Sequence, residues 1–139
     1  MAVLFAQEGA NVAILDIDDA GGRETEAAIG GQSVFLRTDV SDASSVDGAI
    51  RAVLGRFGRI DVLCNHAGTI IVKPFLDTIE AEWDRLMAIN VKGMFLMTKA
   101  VLPSMLAAGG GVIVAILAAA AVVAGIVIVA DEDDNADSN

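Results

Sequence analysis

Short, continuously apolar runs alternate along this chain with longer stretches whose apolar residues recur every three or four positions. That pattern predicts strands buried on both faces alternating with amphipathic helices. Ala2 to Gln7 reads as the end of a helix, stopped at Gly9, and Val12 to Leu15 as the first apolar strand. A polar helix from about Asp19 to Ile29 leads through Gly30 and Gly31 to a second strand, Ser33 to Arg37. Ser41 and Asp42 supply a cap for a helix running to about Phe57, which Gly58 ends. Ile60 to Cys64 is the third strand. Asp77-Thr78-Ile79-Glu80 has capping-box spacing for a long helix from about Ile79 to Leu106. Strands and helices alternating at this interval imply parallel βαβ units, so the fold class is α/β.

Length allows one such domain with a core of its own, placed over residues 1–117 of the 139. The remainder differs in character. No charged residue lies between Ala100 and Ala130, and every Lys and Arg lies at or before Lys99. Residues 118–130 therefore form an apolar segment of open structure, and residues 131–139 an acidic tail too polar to pack. The apolar end accounts for much of the 55% hydrophobic content and the mean hydropathy of +0.62.

The run from Val112 to Ala130 is 19 residues without a polar side chain, close to the ~20 that cross a bilayer as a helix. A competing assignment is a buried strand at Val112 to Leu117 followed by a separate apolar stretch. Val and Ile enrichment favours the strand, so a membrane-anchored protein is the less favoured alternative.

The net charge of −10 divides evenly: Asp131 to Asn139 carry five acids, and the body carries 14 acids against nine bases. Such a surface is unsuited to nucleic acid. The single Cys64 has no internal partner for a disulfide and suits the end of an apolar strand as a small hydrophobe. With no basic leader before the short run Met1 to Ala6, a cytoplasmic location is expected.

In open α/β sheets ligands sit beyond the carboxyl ends of the strands. The residues there are Asp16, then Asp39 and Val40, then Asn65-His66-Ala67-Gly68. Asn65 offers an amide able to tie neighbouring strand ends, and Ala67 and Gly68 are small enough for close approach to the backbone. His66 has no Cys, His or carboxylate at ligand spacing, so no metal site is expected and His66 reads as a loop residue. On the long helix, Asn90 stands in register with the apolar stripe Trp83, Leu86, Met87 and Met94, which directs a carboxamide into a packed face where it needs partners.

Asn65-x-Ala-Gly after an apolar strand, Asp39-Val40, Asp16 and Asn90-x-x-Gly93 together resemble the short-chain dehydrogenase/reductase family over roughly Met1 to Val114. The resemblance implies NAD-linked hydride transfer between an alcohol and a carbonyl. It implies that Asp16 binds the adenine ribose and disfavours the extra phosphate of NADP, that Asp39 and Val40 contact adenine, and that Asn65, Ala67 and Gly68 border the cofactor. Asn90 would support a water relay to the catalytic lysine. Each has a plainer alternative: Asp16 a solvated acid after a strand, Asp39 a helix-start acid, and Asn90 an amide satisfied by nearby backbone.

Family parts missing from these residues set a further expectation. The first strand and its Gly-rich phosphate loop would precede Met1, leaving a partial Rossmann-type doubly wound parallel sheet that lacks that strand. Ala118 stands where the family's serine is expected, no tyrosine occurs, and no lysine follows Lys99. The chain is therefore expected to be inactive by itself and to bind NAD weakly or not at all. Two other functions stay open: a non-catalytic nucleotide-binding half-domain, or one that pairs with another copy or with an intact relative through unpaired sheet edges.

Overall fold

A computed structural model describes residues 1–116. In chain order the elements are helix α1 (Ala2–Gln7), strand β1 (Val12–Asp16), α2 (Asp19–Ile29), β2 (Ser33–Arg37), α3 (Ala43–Phe57) and β3 (Val62–Asn65). After a 3₁₀ turn at Phe75–Asp77 come α4 (Glu80–Met87), a π-helical turn (Ala88–Lys92), α5 (Gly93–Ala107) and β4 (Val112–Ala115). Leu117, the apolar segment 118–130 and the acidic tail 131–139 lie outside the described residues.

Local chemistry accounts for most boundaries. Asp42 caps α3 by accepting from the Ser44 amide at 3.1 Å, and Asp18 caps α2 by accepting from the Ala20 amide at 3.1 Å. Gly58 ends α3 at φ +79°, a left-handed conformation that costs a glycine little.

All pairing is parallel, in two separate sheets. β1 pairs with β2 from Val12↔Ser33 to Asp16↔Arg37, and β3 pairs with β4 from Val62↔Val112 to Asn65↔Ala115. No ladder among the described residues joins β1 to β3, so within these residues each sheet has two strands and unpaired edges.

The core lies between α3, β3 and α5. Val46 and Ile50 of α3, Leu63 of β3, and Met97, Val101 and Met105 of α5 form one buried cluster, with Leu15, Val40 and Ile60 packed at its margin. Gly22 packs closely against the Phe35 ring, and the Phe35 amide donates to Glu26 Oε1 at 2.8 Å and so fastens α2 to β2.

Four expectations are corrected. The cap lies two residues later than the Asp77–Glu80 spacing suggested: Ile79 is the cap position, and its amide donates to Glu82 Oε2 at 3.1 Å. The long helix is broken by the π turn at Ala88–Lys92, which inserts an extra residue and re-phases the faces before and after it. Of the expected stripe, Trp83 is 49% exposed whereas Leu86, Met87 and Met94 are half-buried; the fully buried face lies beyond the turn, at Gly93, Met97, Val101 and Met105 of α5. Finally, the strand expected to be buried over Val112 to Leu117 is β4, Val112–Ala115, with all four residues exposed, because β3 is its sole strand neighbour among the described residues. Glu80–Ala107 is long and apolar enough to cross a membrane by length and composition, yet α5 supplies half of the core cluster.

Candidate functional site

Parallel strands place their carboxyl ends on one side of each sheet, and the residues singled out there are tied together by a chain of short contacts. Asp16 ends β1 opposite Arg37 of β2, and its carbonyl accepts from the Thr38 amide at 2.8 Å. Its carboxylate is exposed; Oδ1 accepts from the Asp18 amide at 3.0 Å, an Asx turn that orients the group and leaves Oδ2 turned to solvent.

Asp39 is half-buried and is not the helix cap, which is Asp42. Asp39 Oδ1 accepts from the Ser41 hydroxyl at 2.6 Å and the Ser41 amide at 2.9 Å, while its own amide donates to Ser45 Oγ at 2.9 Å. The Ser41 hydroxyl and amide hold the Asp39 carboxyl below the ordinary carboxylate range, with Arg37 and Arg85 assisting. The next residue, Val40, lies against Gly93 at the start of α5. A Cβ on Gly93 would sit 2.9 Å from Val40 Cγ2 and 3.4 Å from its carbonyl oxygen, so this crossing of the β2 loop over α5 requires glycine.

Three residues before Gly93, Asn90 sits in the π turn and takes up the backbone of Thr69. Its Oδ1 accepts from the Thr69 amide at 2.8 Å and its Nδ2 donates to the Thr69 carbonyl at 2.8 Å. The amide is thus satisfied by backbone that is near in space and 21 residues away in sequence.

Asn65 is buried at the end of β3. Its backbone does the strand tying, with its carbonyl accepting from Ile116 N at 2.9 Å, whereas its side chain donates from Nδ2 to Thr98 Oγ1 on α5 at 3.3 Å. The expectation that the amide side chain links strand ends is corrected: it links strand to helix. His66, Ala67 and Gly68 follow on the surface. Gly68 has no left-handed φ, and a Cβ there would meet Asn90 Oδ1 at an ordinary 3.5 Å, so the fold itself does not require glycine at this position. The following loop is held by the Lys73–Glu82 ion pair.

Val40 on Gly93 and Thr69 on Asn90 thus fix the ends of β2 and β3 to adjacent turns of one helix. Sequence inspection missed Thr98, Thr69 and Ser45. Ser41 had a signal, since a hydroxyl two residues after an Asp is Asx-turn spacing. Among the described residues no group of three or more His, Cys, Asp or Glu side chains could hold a metal ion. The carboxylates and small loop residues suit hydroxyl-bearing, amine-bearing and planar groups of a nucleotide.

Comparison with known proteins agrees with this geometry. The family model described as short chain dehydrogenase matches residues 1–130. Cyclopentanol dehydrogenase of Comamonas sp. (strain NCIMB 9872) is 40% identical over 105 residues, covering 73% of this chain and 42% of that protein. D-threitol dehydrogenase of Mycolicibacterium smegmatis is 42% identical over 111 residues, covering 78% and 43%. Among solved structures, 3-ketoacyl-(acyl-carrier-protein) reductase of Brucella melitensis, complexed with NADH, superposes with a TM-score of 0.75 at 33% identity, over 78% of this chain and 45% of that one. The chain spans about 42% of the length of the curated relatives it matches. With its parallel α/β architecture and these matches, the chain belongs to the short-chain dehydrogenase family.

Proposed function

We propose that this chain forms the adenosine-binding half of an NAD-linked oxidoreductase site, and that the whole protein's reaction is hydride transfer between an alcohol and a carbonyl. The observation that carries the nucleotide reading is the convergence of the β2 and β3 ends on one helix, through Val40–Gly93 and Thr69–Asn90, beside a Gly68 that the fold does not itself require. A glycine without a conformational or packing need is suited to close approach by a ligand. The alcohol class draws support from relatives named for cyclopentanol, sorbitol and D-threitol. NAD would supply the hydride acceptor when bound; the residues of this chain bind and orient it. Asp16 would accept from the ribose hydroxyls through its solvent-facing oxygen and repel a 2′-phosphate, which favours NAD over NADP. Cytoplasmic location belongs to the same reading.

These 139 residues contain no tyrosine, so no phenolic acid stands ready for a carbonyl oxygen, and the chain by itself is proposed to bind without turnover. Calorimetry with NADH and NADPH tests the cofactor assignment. Wild type should prefer NADH several-fold, and Asp16→Ala should remove the preference. An unchanged ratio would make Asp16 a solvated acid only.

A second reading, pairing with another copy or an intact relative, is favoured by one observation. Val91, Phe95, Leu102 and Leu106 of the long helix are exposed at spacings of four, seven and four residues, an apolar seam suited to a second helix. Sedimentation of wild type and Phe95→Glu tests it: a dimer that the variant dissociates supports pairing, and a wild-type monomer at all concentrations opposes it.

A further inference from the structure

We infer that Thr98 is a positioning residue for the cofactor loop, acting through Asn65; the inference rests on the nucleotide reading above. A threonine within a helix ordinarily returns its hydroxyl to a carbonyl one turn back. The chain shows this habit at Thr25, whose hydroxyl donates to the Gly21 carbonyl at 2.9 Å, and Ser104 donates to the Val101 carbonyl at 2.8 Å. Thr98 instead offers its oxygen to another element, accepting from Asn65 Nδ2 at 3.3 Å. Asn65 is 6% exposed, so water has little access to replace that partner.

The placement gives the bond its consequence. Asn65 opens the turn Asn65–Thr69, and Thr69 closes it on the two hydrogen bonds from Asn90. Asn90 and Thr98 are eight residues apart on the same helical rod, so the turn is held at both ends by side chains of one element. Ala67 and Gly68, which border the proposed cofactor, lie between the two anchors. Removing the Thr98 anchor leaves the far end fixed and the near end dependent on the β3–β4 ladder alone. The bond is long, so its contribution is modest and is read in the geometry of the turn more than in global stability.

Thr98 and Asn65 share a surface hollow of about 470 Å³ with Met94, Phe95, Lys99, Leu102, Ile113 and Ala115; the Lys99 ammonium has donors only and the other side chains carry no oxygen, so none offers an oxygen acceptor to Asn65 Nδ2 in place of the hydroxyl. Thr98→Val keeps the shape and removes the acceptor, whereas Thr98→Ser keeps the acceptor.

Amide NMR of the full chain, together with NADH titration, tests this. In Thr98→Val the Asn65 side-chain NH₂ and the Ala67 and Gly68 amides should shift, and NADH affinity should fall about five-fold, the loss expected of one modest hydrogen bond. Thr98→Ser should restore both. Spectra of Thr98→Val that match wild type at Ala67 and Gly68, or a serine variant that fails to restore them, would overturn the role of Thr98. Wild type that does not bind NADH would overturn the nucleotide reading and the affinity consequence with it, while the amide shifts decide the Thr98 anchor separately.

Discussion

Asn90 and Thr69 exchange two hydrogen bonds, each 2.8 Å, so that a single side-chain amide replaces a strand neighbour for the backbone just beyond β3. This clamp joins the loop carrying Ala67 and Gly68 to the π turn of the long helix. The π turn is what allows it, because the helix before and after has different faces turned inward.

Asn90→Ala should remove both bonds and leave the Thr69 amide and carbonyl to water. Two net hydrogen bonds correspond to about 1 to 3 kcal/mol of stability. Urea unfolding should show a loss of that order, and hydrogen exchange at the Thr69 amide should accelerate. Exchange as slow as in wild type would mean that the clamp does not hold the loop.

Gly93→Ala gives a test with a decisive sign. By helix propensity alone, alanine should stabilise an interior helical position by up to about 1 kcal/mol. Here the new Cβ would lie 2.9 Å from Val40 Cγ2, so the β2 loop must move and a net destabilisation of roughly 1 to 3 kcal/mol is expected. A more stable variant would show that Val40 is not held against α5.

Asp39 predicts a pH dependence. Its folded-state carboxyl is held low, chiefly by Ser41, so the stabilisation is complete above the unfolded value near 3.9 and is lost as pH falls through the folded value. Ser41→Ala should therefore cost stability at about pH 6, and the gap from wild type should narrow at about pH 3. Urea midpoints at both pH values check this. An equal gap at both would assign the Ser41 effect to something other than the Asp39 carboxylate.

The polypeptide of these 139 residues should not reduce NAD in the presence of alcohols, since it contains no tyrosine to exchange the proton. Turnover by pure protein that Asn90→Ala abolishes would contradict this.

Features set by neighbours in sequence were read from it directly. Ser33–Arg37, the Asp42 cap and the Gly58 stop depend on local propensity and on φ, and they stand where expected. The strand-end acids were also visible, because an apolar run followed by a carboxylate needs no tertiary knowledge. What escaped depends on contacts far along the chain. The π turn, where Asn90 meets Thr69 and beside which Gly93 meets Val40, leaves no periodic trace in the sequence. Counting helical positions across that turn placed Trp83 in the packed stripe, whereas it is exposed. The Thr98 partner lies 33 residues away, and its side chain looks like any helical threonine until β3 is laid beside it.

The proposed adenosine site draws on the ends of β1, β2 and β3 together, and backbone amide shifts during an NADH titration report on all three at once. The amides of Ile17, Asp39 to Ser41, and His66 to Thr69 should shift together along one saturating curve with a common Kd. Saturable binding whose shifts bypass these three segments, or no binding at millimolar NADH, would contradict it.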